Sequence, residues 1–404
     1  INKDTIYKEL KTLISGECII FEDNKTPKRH QYYQYQPWKI KNNTRESYRK
    51  ELAEVTLNIL RKIIKDLGGR QIVIPLSAGN DSRLIASGLR YLGYKNVRCY
   101  SYGIEGNFES KIAQKVASKL GYKFKFIPLT IYREKRFYNS KEFQEYLSFS
   151  DTCTAVPYIQ SLSTIKYLKD MEWIDNDAVF INGNSGDFIS GAHIKELLKS
   201  INGNMSEEAR QSTVLDEIIN KHYSLWGYLK TKENLDNIKQ QLLNEIPVKI
   251  SMLDKDHGIY EHSEFINRQS KYVISGQRAY EFYGYEWRLP LWDEEYLKFW
   301  EGVPVNYKKN QNLYIEMLKN ENWGGVWDDD IPVNNKTLRP LWVIPLRFLF
   351  KIPFSLFAKK GQDWWHQFDI NVFYYWRDSS RMMCTTGYMR IIKDLYRKPR
   401  NHVS

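Results

Sequence analysis

IPLSAGNDSRLIASGL, Ile74–Leu89, joins a strand to a helix through a run of small residues, and the rest of the chain is organised around it. The apolar run that leads into it, Gln71–Leu76, reads as a buried strand. It passes straight into Ser77-Ala78-Gly79-Asn80-Asp81-Ser82, after which Leu84, Ile85, Leu89 and Leu92 recur at helical spacing. A strand that enters a helix through small residues aims several backbone N–H groups at one point, at the positive end of the helix dipole. That geometry is an anion cradle. Ser77 and Ser82 add hydroxyl donors, and Gly79 lets the backbone come close. The loop lacks the lysine of G-x-x-x-x-G-K-[ST] and the spacing of G-x-G-x-x-G, so neither of those nucleotide loops is present. The same six residues also suit a plain strand-to-helix turn capped by Asn80 or Asp81. The rest of the chain decides between the two.

Outward from this loop, strands and helices alternate. Strand Val97–Tyr102, helix Phe108–Leu120 and strand Phe124–Leu129 follow. The pattern predicts an α/β fold, a doubly wound parallel sheet with helices on both faces and ligands beyond the carboxyl ends of the strands. Ser77–Ser82 and Tyr102–Glu105 then share one rim, with a nucleotide base near Tyr102. A mostly helical stretch, Phe143–Lys169, precedes a further strand, Ala178–Gly183. That strand ends in a second small-residue loop, Asn182-Gly183-Asn184-Ser185-Gly186-Asp187, which should reach the same rim. Asp187, in a glycine-rich loop beside a phosphate cradle, reads as a Mg²⁺ carboxylate; an Asx turn is the plainer account. Residues 195–256 read as helices. A helix over 259–283 leads into YEWRLPLWD, Tyr285–Asp293, where Arg288 and Asp293 are placed to pair. Upstream, Thr44 caps a helix whose apolar residues run from Leu52 to Leu67 and which Gly68-Gly69 stops. Residues 1–42 read as a helix end, a hairpin around Glu22–Lys25 and a Tyr-rich linker.

The bulk numbers bound the rest. A chain of 404 residues buries a large core. No apolar run reaches the length of a membrane span, and no signal peptide is expected. Four separated cysteines without a C-x-x-C pair, and seven scattered histidines, exclude a zinc framework and fit free thiols in a reducing cytoplasm. The net charge of +12 is uneven: residues 331–404 hold 13 Lys and Arg against four Asp and Glu. That asymmetry implies an anionic partner for the tail, a nucleic acid, a membrane surface (the inner face) or an acidic glycan; a solvated basic face explains it equally well. The first residue is Ile1 rather than Met, so an upstream part of a longer protein is expected.

LSAGNDS resembles the S-G-G-x-D-S pyrophosphate loop (PP-loop) of the ATP pyrophosphatases, with Ala78 in place of the first Gly. LSAGNDS, INGNSGDF and EWRLPLWD, in that order, resemble the synthetase domain of the asparagine synthetase family over residues 43–320. Residues 8–37 are similar to the tail of that family's N-terminal glutaminase domain. The resemblance implies three parts: a glutaminase tail and linker (1–42), a PP-loop synthetase domain with large helical additions (43–330) and a basic aromatic extension (331–404). It implies that a carboxylate attacks the α-phosphorus of ATP and that ammonia or an amine then displaces AMP. Glutamine would supply the ammonia through a glutaminase domain outside this sequence. Leu76, Ser77, Ala78, Gly79, Asn80, Asp81 and Ser82, with Tyr102 and Gly183, would hold ATP; Asp81 and Asp187 would hold Mg²⁺.

The sequence departs from the family on the acceptor side. Asn184 stands where the family has a Glu, and Phe188 where it has another. The family's lysine before an I-L-R run has no clean counterpart, which leaves Lys308 or Lys309 for the role. Glu286, and Asp151 beside it in rank, are the substitutes for a general base. These departures imply an acceptor other than aspartate, as in enzymes that amidate uronic acids of bacterial surface polysaccharides. Aspartate itself, a PP-loop enzyme acting on tRNA and a non-catalytic nucleotide-binding scaffold stay open. The second loop and YEWRLPLWD argue against nucleic acid. The stretch 341–365 is read either as packed covering helices or as an aromatic, basic binding surface.

Overall fold

The computed structural model describes residues 1–103, 105–201, 204–223, 231–245, 255–333 and 342–369. The chain enters through an antiparallel hairpin, β1 (Glu17–Ile20) and β2 (Lys28–Gln31), with the turn around Glu22–Lys25. No helix precedes it. Ile6, Leu10 and Leu13 recur at near-helical spacing but stay exposed, and the segment is closed instead by a bridge between Asp4 and Lys11. The linker is anchored by Tyr35, fully buried and stacked on Phe265.

Helix α1 (Arg45–Leu67) follows as its signals dictate. The Thr44 side chain accepts from the Ser47 amide, and Gly68 closes the helix in the left-handed region. Strand β3 (Ile72–Pro75) comes next and is the middle of a five-stranded sheet with β4 (Val97–Gly103), β5 (Lys123–Pro128), β6 (Val179–Ile181) and β7 (Glu286–Arg288). The order is β5-β4-β3-β6-β7, every neighbouring pair parallel. The period of two assigns the faces. Ile72 and Ile74 pack with α1, α2 (Asn80–Tyr91) and α3 (Phe108–Lys119). Val73 packs on the other face with Tyr100, Phe180 and the helices Ile131–Tyr138, Lys141–Ser150 and Leu162–Asp170. The chain runs outward from β3 to β5, then returns to β6 on the other side of β3. The crevice where a doubly wound sheet binds its ligand therefore opens at the carboxyl ends of β3 and β6.

The helical additions form a satellite core of Ile194, Val214, Ile218, Leu242 and Ile259. The stretch expected as one helix over 259–283 is four pieces: an α-helix (Asp256–Glu264), a π-helix (Phe265–Val273), a 3₁₀ turn (Ile274–Gln277) and an α-helix (Arg278–Phe282). The widened and then tightened turns re-aim Gln269 and Gln277 at the second loop, where each makes a hydrogen bond. Arg288 and Asp293 do not pair. Arg288 binds Asp66 at 2.6 Å and Glu286 at 3.1 Å, while Asp293 caps helix Glu294–Glu301. Cys99 is buried and Cys18 and Cys153 are partly so, all as free thiols; Cys384 lies outside the described residues.

Candidate active site

The first loop is internally wired. The Ser82 hydroxyl accepts from the Ser77 amide at 3.0 Å and lies 3.1 Å from the Ser77 hydroxyl, which accepts from the Gly79 amide at 3.1 Å. The two serines thus brace the turn from inside. Helix α2 begins at Gly79 with no side chain capping it, so its first amides are left to a ligand.

The second loop closes over the first. A Cβ on Gly183 would fall 2.5 Å from the Asp81 Cβ and 2.8 Å from the Ser82 nitrogen. One on Gly186 would fall 2.3 Å from the Asp81 carboxyl carbon. Only glycine at both positions lets the two loops touch. The loop takes its shape from three contacts. The Asn184 amide donates to the Asn182 side chain, whose amide donates to Gln277 at 2.7 Å, and the Ser185 hydroxyl donates to Gln269. Ser185 itself sits at φ 72°, a left-handed position held by that bond.

Asp81 is thereby wedged between loops. Burial pushes its carboxyl well above the usual carboxylate range, and the charge of Asp187 across the gap adds to the shift. The Tyr314 hydroxyl, donating at 2.8 Å, opposes it and fixes the carboxylate's orientation. Two carboxylates crowded beside a bare helix N-terminus suit a small divalent cation that completes its shell with phosphate oxygens and water, as Mg²⁺ does. Among the described residues no group of three or more His, Cys, Asp and Glu is placed to hold a metal, so a zinc-type site is not matched.

Beneath the loop lies Arg83, fully buried, which the sequence did not single out. Its guanidinium donates to the carbonyls of Ala78 (3.0 Å), Val326 (3.2 Å), Ile331 (2.9 Å) and Pro332 (3.1 Å) and stacks on Trp327. No carboxylate of the described residues pairs with it, and burial lowers its pKa to about 10. It ties the loop to segment 326–332 and sets a buried positive charge beneath the uncapped start of α2.

The loops open onto a cleft of about 410 Å³, lined by Ser77–Ser82 except Ala78, by Tyr102, Glu109, Tyr158 and Gln160, and by Gly183, Asn184, Asp187 and Gln277. A match to the asparagine synthase family model covers residues 68–320, which takes in both loops, the whole sheet and Tyr314. The chain belongs to the asparagine synthase family. No curated protein matches it. Membership makes it a ligase that uses ATP to form amides, on the α/β scaffold described above.

Within that family scaffold the expected site residues separate into two groups. Leu76, Ser77, Gly79, Asn80, Asp81, Ser82, Tyr102, Gly183, Asn184 and Asp187 all line the cleft; Ala78 is buried behind it, its carbonyl held by Arg83. Lys308, Lys309 and Glu286 do not line it. Lys308 is fully buried in an ion pair with Glu261 at 2.8 Å, and Lys309 faces solvent. Glu286 pairs in register with Val179 at the amino end of β6, the far end of the sheet from the loops, and binds Arg70 at 2.8 Å and Arg288. Asp151 ends a helix and accepts from the Cys153 amide, also outside the lining. Among the described residues, no lysine or arginine lines the cleft. Tyr314 was within reach of the sequence, since it stands in the stretch read for its lysines. Arg83 was not: a lone cation on an apolar helix gives no sign that four carbonyls await it.

Proposed function

We propose that this ligase adenylates a carboxylate at the expense of ATP. The carboxylate oxygen attacks the α-phosphorus and pyrophosphate leaves. Ammonia or an amine then attacks the acyl carbon, AMP leaves, and the amine's extra proton goes to solvent or phosphate. The observation that carries this reading is the contact of Gly183 and Gly186 with Asp81, which puts a carboxylate at a phosphate cradle that has no lysine. The amides of α2 and the hydroxyls of Ser77 and Ser82 grip the departing pyrophosphate. Asp81 and Asp187 are the residues that would hold Mg²⁺, which when bound neutralises charge on that leaving group. Tyr314 keeps Asp81 aimed, and Arg83 stiffens the loop from below.

The acceptor follows from Asn184. A carboxamide hydrogen-bonds but takes no proton at ordinary pH, so Asn184 is not the base that deprotonates the amine. We assign Asn184 to a hydroxyl or carboxylate of the acceptor, and the acceptor to the uronic acids rather than aspartate. AMP release with Mg²⁺-ATP, ammonium and either aspartate or glucuronic acid-bearing saccharides tests it. Wild type is expected to turn over the saccharides, and Asn184→Glu to lose most of that activity. Efficient asparagine formation by the wild type would overturn the acceptor assignment.

A further inference from the structure

The C-terminal helix pair exposes large apolar side chains more densely than any other stretch of the described residues. Helix Val343–Ser355 turns Ile344, Phe348, Leu349 and Ile352 to solvent, and Leu356 and Phe357 extend the face into the turn before helix Ala358–Phe368. Phe348 is 70% exposed and Leu356 79%. A helix that covers a globular domain buries one stripe; here Val343 alone is buried. The pair is braced mainly against itself, by Arg347 bidentate to Asp369 and by Phe354 against Trp365. A patch of this size that no other described residue covers marks an interaction surface.

Length and charge identify the partner. Thirteen residues rise about 20 Å, short of the roughly 30 Å hydrocarbon core of a bilayer, and no helix of the described residues is long and apolar enough to cross one. Trp342 and Trp364 flank the patch half-exposed, as aromatics do at a lipid headgroup boundary. Lys351 and Lys360 are exposed beside it, in a segment with 13 Lys and Arg against four Asp and Glu. Aliphatic Leu349, Ile352 and Leu356 offer a sugar no hydrogen bond, and the like charge of a second copy would repel. We propose that helix 343–355 lies in the interface of an anionic membrane, its apolar side at the acyl boundary and its cations at the headgroups. This does not depend on the reaction assigned above.

The test is flotation of the full chain with vesicles of phosphatidylcholine alone or with 30% phosphatidylglycerol. Co-flotation with the anionic vesicles, at least tenfold stronger than with neutral ones and weakened by 0.5 M salt, is expected. The exposed double variant Phe348→Ser/Leu349→Ser should lose at least tenfold in binding with unchanged thermal unfolding and AMP release. Lys351→Glu should bind more weakly and lose part of the salt dependence. Absence of flotation, flotation indifferent to both variants, or a concentration-dependent dimer that the double variant dissolves would each overturn the proposal, as would retention on an acidic polysaccharide in place of vesicles.

Discussion

Gly183→Ala puts the two-loop cradle under direct strain. The added methyl would lie 2.5, 2.7 and 2.8 Å from the Asp81 Cβ, the Asp81 carbonyl carbon and the Ser82 nitrogen, where ordinary contact begins at 3.4 Å. Two of the three neighbours are backbone, so no side-chain rotation relieves the overlap. The loops must part by most of an ångström. Overpacking of that kind costs about 1–3 kcal/mol in a well-packed core. The larger effect falls on chemistry. A shift of about 1 Å in a group that positions reactants costs on the order of 10² in rate. Steady-state pyrophosphate release, with thermal unfolding in parallel, should show kcat down by about that factor and Tm lowered by only a few degrees. A folded Gly183→Ala enzyme with wild-type kcat and KM for ATP would refute the claim that the second loop closes on the first.

Arg83→Met takes the guanidinium donor from four carbonyls, three of them in buried contacts, and removes the charge beneath the cradle. KM for ATP should rise on the order of tenfold, with Arg83→Lys intermediate because an ammonium cannot span the fork; a fall in Tm with KM unmoved would make the residue merely structural. Lys308→Met strands Glu261, whose carboxyl burial already pushes above its ordinary range. Stability should drop by about 3–5 kcal/mol and return largely when Glu261→Gln is added; a stable double variant with lost turnover would restore Lys308 to the chemistry. Glu245, buried with Asn267 as its donor, is pushed up to about 7 from 4.5. The folded state then binds more protons than the unfolded one in that window, so stability falls by about 2–3 kcal/mol as pH rises through it. Glu245→Gln should flatten that slope in urea titrations at pH 5 and pH 8, and an unchanged slope would exclude Glu245 as its source.

Four strands of the sheet were legible, β3 and β6 as short apolar runs and β4 and β5 from their place in the alternation with helices, whereas β7 (EWR, Glu286–Arg288) carries two charges in three residues and was not read as a strand. The cradle was legible because the small residues of Ser77–Ser82 and Asn182–Asp187 have no packing use except close approach. What failed were inferences from nearness in sequence. Glu286 stands beside a motif, but parallel pairing with β6 carries it to the wrong end of the strand. Lys308 stands before a helix near the site, yet a glutamate 47 residues earlier neutralises it in the core. Both errors have one cause: a charge's partner is chosen by tertiary packing. Arg83 is the same lesson in reverse, since its acceptors come from residues 326–332, far along the chain.

In the proposed reaction the Ser77–Ser82 cradle, with Asp81 and Asp187 facing it, holds the pyrophosphate end of ATP while a carboxylate takes the AMP. ³¹P NMR of the products from Mg²⁺-ATP, ammonium and a carboxylate acceptor tests this most directly, alongside Asp81→Asn. AMP and pyrophosphate are expected in equal amounts, one of each per amide formed, with a rate on the order of 10² lower in the variant. ADP and orthophosphate as the products would contradict it.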